Sequence, residues 1–350
     1  MPTVLYLYVF LLQFLANYFS TTIVSVEYKY FPYTMANHSS TLRLLLIGDS
    51  VDRNAVQDWC VSNEATLCHV HGECDVDYIF EGNRTFHSFF SQSTSSKGAV
   101  KVCYSHHLNI IVSFLFNTNG VMPRPYCDSY NQNPDEVVDA QDLLQTASME
   151  TFLNYSLAPK IRALEVLMGG NPHGVLIQSS LWDLQRLQHC ESWRGIRNDY
   201  PHSKRQPILS RWEREWAENA TNFVNTLMKT YYYNNYSSSA TYSYLAWRTN
   251  HEIPLVIPPV NNSRWYGPHF ATKDGQALMA WIREGGKDAV VHSSSSSTGL
   301  RVLPFHLFPN VHLPRHRRYD IIHPNIDTSK MLIDVLINNT RNSLKSQSII

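Results

Sequence analysis

The sequence predicts an α/β fold, a three-layer α/β/α sandwich around a mostly parallel central sheet. Three observations carry that expectation. Short runs of consecutive apolar residues recur along the chain, as in strands buried on both faces. Segments with apolar side chains at helical spacing lie between them. The two kinds of segment alternate, which is the pattern of parallel strands joined by helical crossovers.

The elements follow in order. "TLRLLLI" (41–47) reads as a buried strand ended by Gly48. Val51, Ala55, Val56 and Trp59 then fall at helical spacing over 51–60. Residues 61–100 read as irregular. "LNIIVSFLF" (108–116) is a second strand, and a long helical stretch is expected from about Pro134 to Met168, closed by Gly169 and Gly170. "HGVLIQ" (173–178) is a third strand. Residues 211–232 are amphipathic, with acidic side chains early and Lys229 late, as a helix dipole prefers. "YSYLAW" (242–247) is a fourth strand, 272–286 a further helix, and "GLRVLPFHLF" (299–308) a fifth strand. The Ser run 293–297 and the Tyr/Asn/Ser stretch 231–242 read as surface loops.

Composition narrows the function classes. The chain has 350 residues, long enough for a large core, and 29 basic side chains balance 29 acidic ones. That balance, without a basic stripe interleaved with aromatics, gives no case for nucleic acid. No phosphate-binding loop of the GxxxxGK[ST] or GxGxxG form occurs, so no nucleotide cofactor is expected. Residues 1–25 carry no charged side chain and hold the apolar run "VLYLYVFLLQFLA" (4–16), the length of a secretory h-region. Counted from Val4 to Val24 the stretch also approaches the length of a membrane helix. Either a signal peptide or a signal anchor is expected, and both place the remainder in the secretory lumen or outside the cell. Membrane contact is expected only through such an anchor. Sequons at Asn37, Asn83, Asn154, Asn219, Asn235, Asn261 and Asn338 agree with that route. So does the even number of cysteines (60, 68, 74, 103, 127 and 190), which suits disulfides in an oxidising compartment. One α/β domain over 41–340 is expected, with a Cys-rich insertion at about 60–105.

The chemistry concentrates at the end of the first strand, "LLLIGDSVDRNAVQDWC" (44–60). A serine between a strand end and a helix N-terminus meets exposed N–H groups and the positive end of a dipole. A serine hydroxyl becomes a nucleophile only with a base beside it, usually a histidine oriented by a carboxylate. "RYDIIHPN" supplies Asp320 and His323 three positions apart near the C-terminus, on what reads as a loop or helix start. Two competing readings stand beside this one. Ser50 simply caps the following helix, and an Asp-x-x-His pair arises by chance among sixteen histidines. "CHVHGEC" (68–74) invites a zinc reading through Cys68, His69, His71 and Cys74, but no second ligand pair of similar spacing accompanies it. Disulfides are the expected use of those cysteines, and no metal is expected. The basic patch "HLPRHRR" (312–318) reads as a solvated face.

In order along 41–340, these blocks resemble the SGNH (GDSL-type) hydrolase superfamily, and within it the PC-esterase and trichome-birefringence-like branch. "GDSVDRN" resembles the branch's opening block, "VLIQSSLWDL" (175–184) its third-strand block, "WRTN" (247–250) a Trp-Arg-Thr segment, and "DIIH" its closing DxxH. The resemblance implies Ser50 as nucleophile, His323 as general base and then acid, and Asp320 as its orienting partner. It implies an oxyanion hole from the Ser50 N–H, a Gly after the second strand (Gly120 in "NTNG", with Asn117 or Asn119 as alternatives) and an Asn after the third. There the chain departs from the pattern, with Gln178 and Ser179 where Asn is usual, and Ser180 as another possible donor. Arg53 and Asn54 match the branch motif and are expected to support the nucleophile loop, with an ordinary surface salt bridge as the competing reading. The implied activity is ester hydrolysis or O-acyl transfer without a cofactor, on an acyl ester that includes O-acetylated carbohydrate. An inactive relative that binds glycans or partners through the same cleft is the alternative, favoured by Gln178.

Overall fold

The computed structural model describes residues 40–69, 100–116, 121, 157–179, 183, 202–228, 243–251, 273–288, 290–291, 300–316 and 320–347. The expected leader, Cys74, Cys127, Cys190 and the zinc-like run beyond His69 lie outside them. Among the described residues no helix is long and apolar enough to cross a membrane.

The chain forms a mixed, mostly parallel sheet with helices. In chain order the elements are β1 (Leu42–Gly48), α1 (Ser50–Ser62), β2 (Thr66–His69), β3 (Val100–Ser105), β4 (Ile110–Phe116), α2 (Ala158–Met168), β5 (Gly174–Ile177) and α3 (His202–Met228). Then come β6 (Tyr244–Arg248), α4 (Lys273–Trp281), β7 (Arg301–Leu303), β8 (Pro314–His316), β9 (Asp320–Pro324) and α5 (Ile326–Gln347). Seven strands make one sheet in the order β2-β3-β4-β1-β5-β6-β7, and β8 and β9 form a separate antiparallel pair. β4, β1, β5, β6 and β7 run parallel, while β3 pairs antiparallel with both β2 and β4. β1 sits between β4 and β5, so successive crossovers leave it in opposite directions. In open α/β sheets such a reversal marks the place, outside the carboxyl ends of the strands, where ligands bind.

The apolar runs explain the central strands. Leu44, Leu45, Leu46 and Ile47 are all buried, as are Ile110 to Val112 on β4 and Val175 to Ile177 on β5. Burying each such side chain contributes about 1.5–3 kcal/mol. α5 lays Leu332, Ile333, Leu336 and Ile337 into the core beside α1, and the Trp59 indole donates to Asp334 (2.9 Å). Where α5 crosses β5 the backbones are close: a Cβ on Gly174 would meet the Thr340 hydroxyl at 2.2 Å. On the other elements Trp216 of α3 meets Trp247 of β6 edge to face, with ring centroids 6.0 Å apart.

Several expectations are corrected. The supposedly irregular stretch after residue 60 contributes β2 and β3 to the main sheet. A disulfide joins Cys60 on α1 to Cys103 on β3, pinning a helix to the sheet. The fifth strand is only Arg301–Leu303, because Pro304 has no N–H to continue the ladder and Phe305–Leu307 turns into a 3₁₀ helix. DIIH forms strand β9 rather than a loop or helix start. Of the helix expected over 134–168, only its last part, α2, lies within the described residues.

Candidate active site

The loop that carries Ser50 is built by five consecutive residues, 48–52. Gly48 ends β1, and Asp49 is the N-cap of α1. The Asp49 carboxylate accepts the Val51 N–H (2.8 Å), and the Asp49 N–H donates to the Asp52 carboxylate (3.1 Å), a reciprocal capping box. A Cβ at residue 48 would fall 1.9 Å from Asp52 Oδ2, so only glycine leaves room for that carboxylate. Because Asp49 holds the cap, Ser50 is the first helical residue instead, and its hydroxyl is spared from capping. Its N–H belongs to the first helical turn, where amides have no intrahelical acceptor.

His323 arrives from the other end of the chain. Its Nε2 lies 2.7 Å from Ser50 Oγ, across 273 positions of sequence. The imidazole is 8 % exposed and Ser50 is half-buried. β9 carries the histidine, and α5 begins three residues later. Asn325 secures that start, its side-chain oxygen accepting the Thr328 N–H (2.9 Å), while the Thr328 hydroxyl donates to the Pro309 carbonyl (2.9 Å). Packing of α1 against α5 therefore locks together the helix that begins with the serine and the helix that follows the histidine. Asp320 opens β9, and its side chain lies outside the described residues. In the β8–β9 register Pro314 faces Pro324 and His316 faces Asp320, so one residue of β8 opposes three of β9.

Beneath the loop lies a buried charge cluster that the sequence reading missed. Arg248, at the end of β6, donates from Nε to Asp52 Oδ1 (2.6 Å) and from Nη2 to Asp52 Oδ2 (3.0 Å) and Asp49 Oδ1 (3.3 Å). It and Asp52 are each 1 % exposed. The guanidinium also lies over the Phe305 ring, 5.2 Å from its centroid. Burial pushes the Asp52 carboxyl up to about 6, Arg248 opposes that rise, and Asp49 adds to it. Burial works against the Arg248 charge, but the two carboxylates outweigh it and hold the guanidinium above its ordinary value. At neutral pH both partners are ionised, and their forked bonds fix the cap from which Ser50 projects. Arg53 and Asn54 lie half-buried on the first turns of α1, and the Arg53 N–H joins the Asp49 carbonyl (3.1 Å). In the sequence its members stand in two separate blocks, Asp49 and Asp52 in "GDSVDRN" and Arg248 in "WRTN", with no role assigned to any of them.

Of the expected oxyanion donors, Gly120 and Ser180 lie outside the described residues. Gln178 is buried after β5, and its backbone N–H donates to the Ile47 carbonyl (2.9 Å), continuing the sheet to the level of the nucleophile loop. Ser179 donates from Oγ to Asp183 (2.7 Å), which also accepts the Val121 N–H (2.9 Å) and the Trp216 indole (3.0 Å). A hydroxyl on an imidazole nitrogen at a helix N-terminus is equipped for nucleophilic acyl transfer. The chain matches no protein-family model and no curated protein sequence.

Proposed function

We propose that the protein is a serine-dependent ester hydrolase or O-acyltransferase of the SGNH type, in the PC-esterase-like branch, with a three-layer sandwich about its sheet. The observation that carries this reading is the 2.7 Å pairing of His323 Nε2 with Ser50 Oγ at the N-terminus of α1. Ser50 Oγ attacks the ester carbonyl carbon while His323 Nε2 takes its proton. The tetrahedral oxyanion faces the Ser50 N–H and the positive end of α1, joined by donors near Gly120 and Gln178 or Ser180. Collapse expels the alcohol, which leaves with the proton from His323, and an acyl-enzyme remains. Water or a sugar hydroxyl then attacks, gives its proton to His323, and releases the acyl group as His323 returns the proton to Ser50. Asp320 orients the imidazole, as the closing DxxH implies. No cofactor enters the cycle.

The leader, the sequons and the disulfide support a secretory route, with the domain facing the lumen or the outside. There an O-acylated carbohydrate is the proposed substrate. Amide geometry at Gln178 differs from that of Asn by one methylene, and losing one oxyanion donor costs about 10²–10³ in rate. A slow enzyme is therefore part of the proposal.

The test is turnover of an aryl acetate by the purified full-length chain, with and without oligosaccharide acceptors. Wild type should release the aryl alcohol, and Ser50→Ala and His323→Ala should each lose about 10³-fold or more in kcat. Acceptor-dependent release would identify a transferase. Folded wild type without turnover would favour the glycan- or partner-binding relative.

A further inference from the structure

Asp183 takes no part in the steps above, yet its carboxylate is fully buried and, among the described residues, meets donors from three separate parts of the chain. Oδ1 accepts the Val121 N–H at 2.9 Å. Oδ2 accepts the Ser179 hydroxyl at 2.7 Å and the Trp216 Nε1–H at 3.0 Å. Burying a carboxylate is costly unless such charge-assisted bonds satisfy it. The ends of two of them are informative. Val121 directly follows Gly120, beyond the carboxyl end of β4, and Ser179 lies between Gln178 and Ser180, beyond the carboxyl end of β5. β4 and β5 are the two strands that flank β1, which delivers Ser50. One rigid carboxylate thus ties together the backbone on both sides of the nucleophile, and Trp216 anchors it to α3.

We propose that Asp183 is a positioning residue that fixes Val121 and Ser179, and with them the oxyanion-binding backbone on either side of Ser50. The proposal rests on the serine-hydrolase reading. It predicts a particular order among variants, because the three arms differ in what they hold. Asp183→Ala cuts all three. Asp183→Asn keeps both loop arms: the amide oxygen accepts from Val121, the NH₂ donates to the Ser179 hydroxyl, and only the Trp216 arm is lost. Ser179→Ala cuts the β5 arm alone, and Trp216→Phe cuts the α3 arm alone.

The experiment uses the full-length protein and a fluorophosphonate probe, measuring kinact and KI separately, with amide hydrogen exchange of peptides carrying Val121 and Ser179. Asp183→Ala should lower kinact by about 10²-fold, the worth of a lost oxyanion donor, with KI unchanged. Ser179→Ala should lower it about 10-fold, as one hydrogen bond allows. Asp183→Asn and Trp216→Phe should stay within about threefold of wild type, since neither cuts a loop arm. Exchange should accelerate around Val121 and Ser179 in Asp183→Ala, while β1 and β6 remain protected. A general loosening of the sheet, or a Ser179→Ala rate equal to wild type, would overturn the clamp. Should Asp183→Ala fail to fold, Ser179→Ala beside Asp183→Asn carries the decision. A wild type that does not label removes the serine reading, and the exchange pattern still decides whether Asp183 couples the two segments.

Discussion

At the carboxyl ends of the parallel strands Arg248 lies buried between Asp49 and Asp52, whereas at their amino ends Arg43 lies half-buried against carbonyls and an imidazole. Arg43 donates from Nε to the Asn171 carbonyl (2.8 Å), and its Nη2 lies 3.0 Å from His173 Nε2. His173 Nδ1 accepts the Arg43 N–H (3.1 Å). Thr41 donates its hydroxyl to the Asn109 side chain (2.7 Å), and Ser105 Oγ lies 3.1 Å from His107 Nδ1 in the turn between β3 and β4. Both ends therefore hold an arginine, a histidine and a hydroxyl. The amino end also has a hollow, a groove of about 330 Å³ lined in part by Thr41, Asn109, His173 and Arg341. Yet burial, with the Arg43 charge beside it, pushes the His173 imidazole down to about 4, so it stays neutral and cannot cycle a proton near pH 7. Only the carboxyl end sets a hydroxyl on an imidazole at a helix N-terminus. Concavity and residue types do not make a catalytic site without that geometry.

The contrast can be broken most sharply at the two arginines. Arg248→Met leaves two carboxylates buried without their cation and should cost about 3–5 kcal/mol in chemical denaturation. Arg43→Met removes bonds to carbonyls that are partly exposed and should cost only about 1 kcal/mol. Equal losses would mean that the two ends are not built differently. Asp52→Asn combined with Arg248→Met should recover part of the larger loss, because one buried charge goes with the other.

The disulfide sharpens the same contrast, since Cys60 sits at the far end of α1 from Ser50, about 15 Å away along the helix axis. Replacing Cys60 and Cys103 by serine opens a loop with a sequence separation of 43. The loop-entropy relation puts the cost at about 4 kcal/mol. Turnover per folded molecule should nevertheless match wild type, and a loss of kcat at full folding would show that the two ends are coupled.

The smallest effect is in pH dependence. His173 has a folded pKa of about 4, below its ordinary 6.5, so its neutral form stabilises the fold. That contribution is full above pH 6.5 and is lost as pH falls toward 4. Asp52 has the opposite sign: its folded value of about 6 exceeds the ordinary carboxylate range, so its part of the stability is present at low pH and lost as pH rises through 6. His173→Asn should therefore flatten the fall in Tm between pH 6.5 and 4.5. An unchanged slope would remove the histidine from the acid response.

Much of this frame was legible because the central strands are buried on both faces. "RLLLI", "IIVSFLF" and "VLIQ" are apolar without alternation, and little but a parallel strand accounts for such runs beside helical spacing. β2 and β3 were not legible, since "TLCH" and "VKVCYS" are short and carry polar residues that the edge of a sheet tolerates. Lys101 is buried there, and its ammonium donates to Gln57 of α1. α5 is not among the expected elements, although Leu332, Ile333, Leu336 and Ile337 repeat at helical spacing. Ser50 and His323 were legible as types in order, and their distance was not, because the pairing depends on how β9 and α5 dock on α1. Arg248 and Asp183 were beyond reach for a related reason. Each acts through buried partners distant in sequence, 196 positions for Arg248 and Asp52 and 62 for Asp183 and Val121. No local pattern announces such pairs.

The most direct measurement is mass-spectrometric location of a fluorophosphonate adduct on the full-length protein, at neutral pH, in wild type and His323→Ala. An activated serine predicts a single adduct on Ser50 in wild type and almost none in His323→Ala, with both proteins equally folded. Equal labelling of the two, or an adduct elsewhere with Ser50 untouched, would contradict the pairing as the source of reactivity.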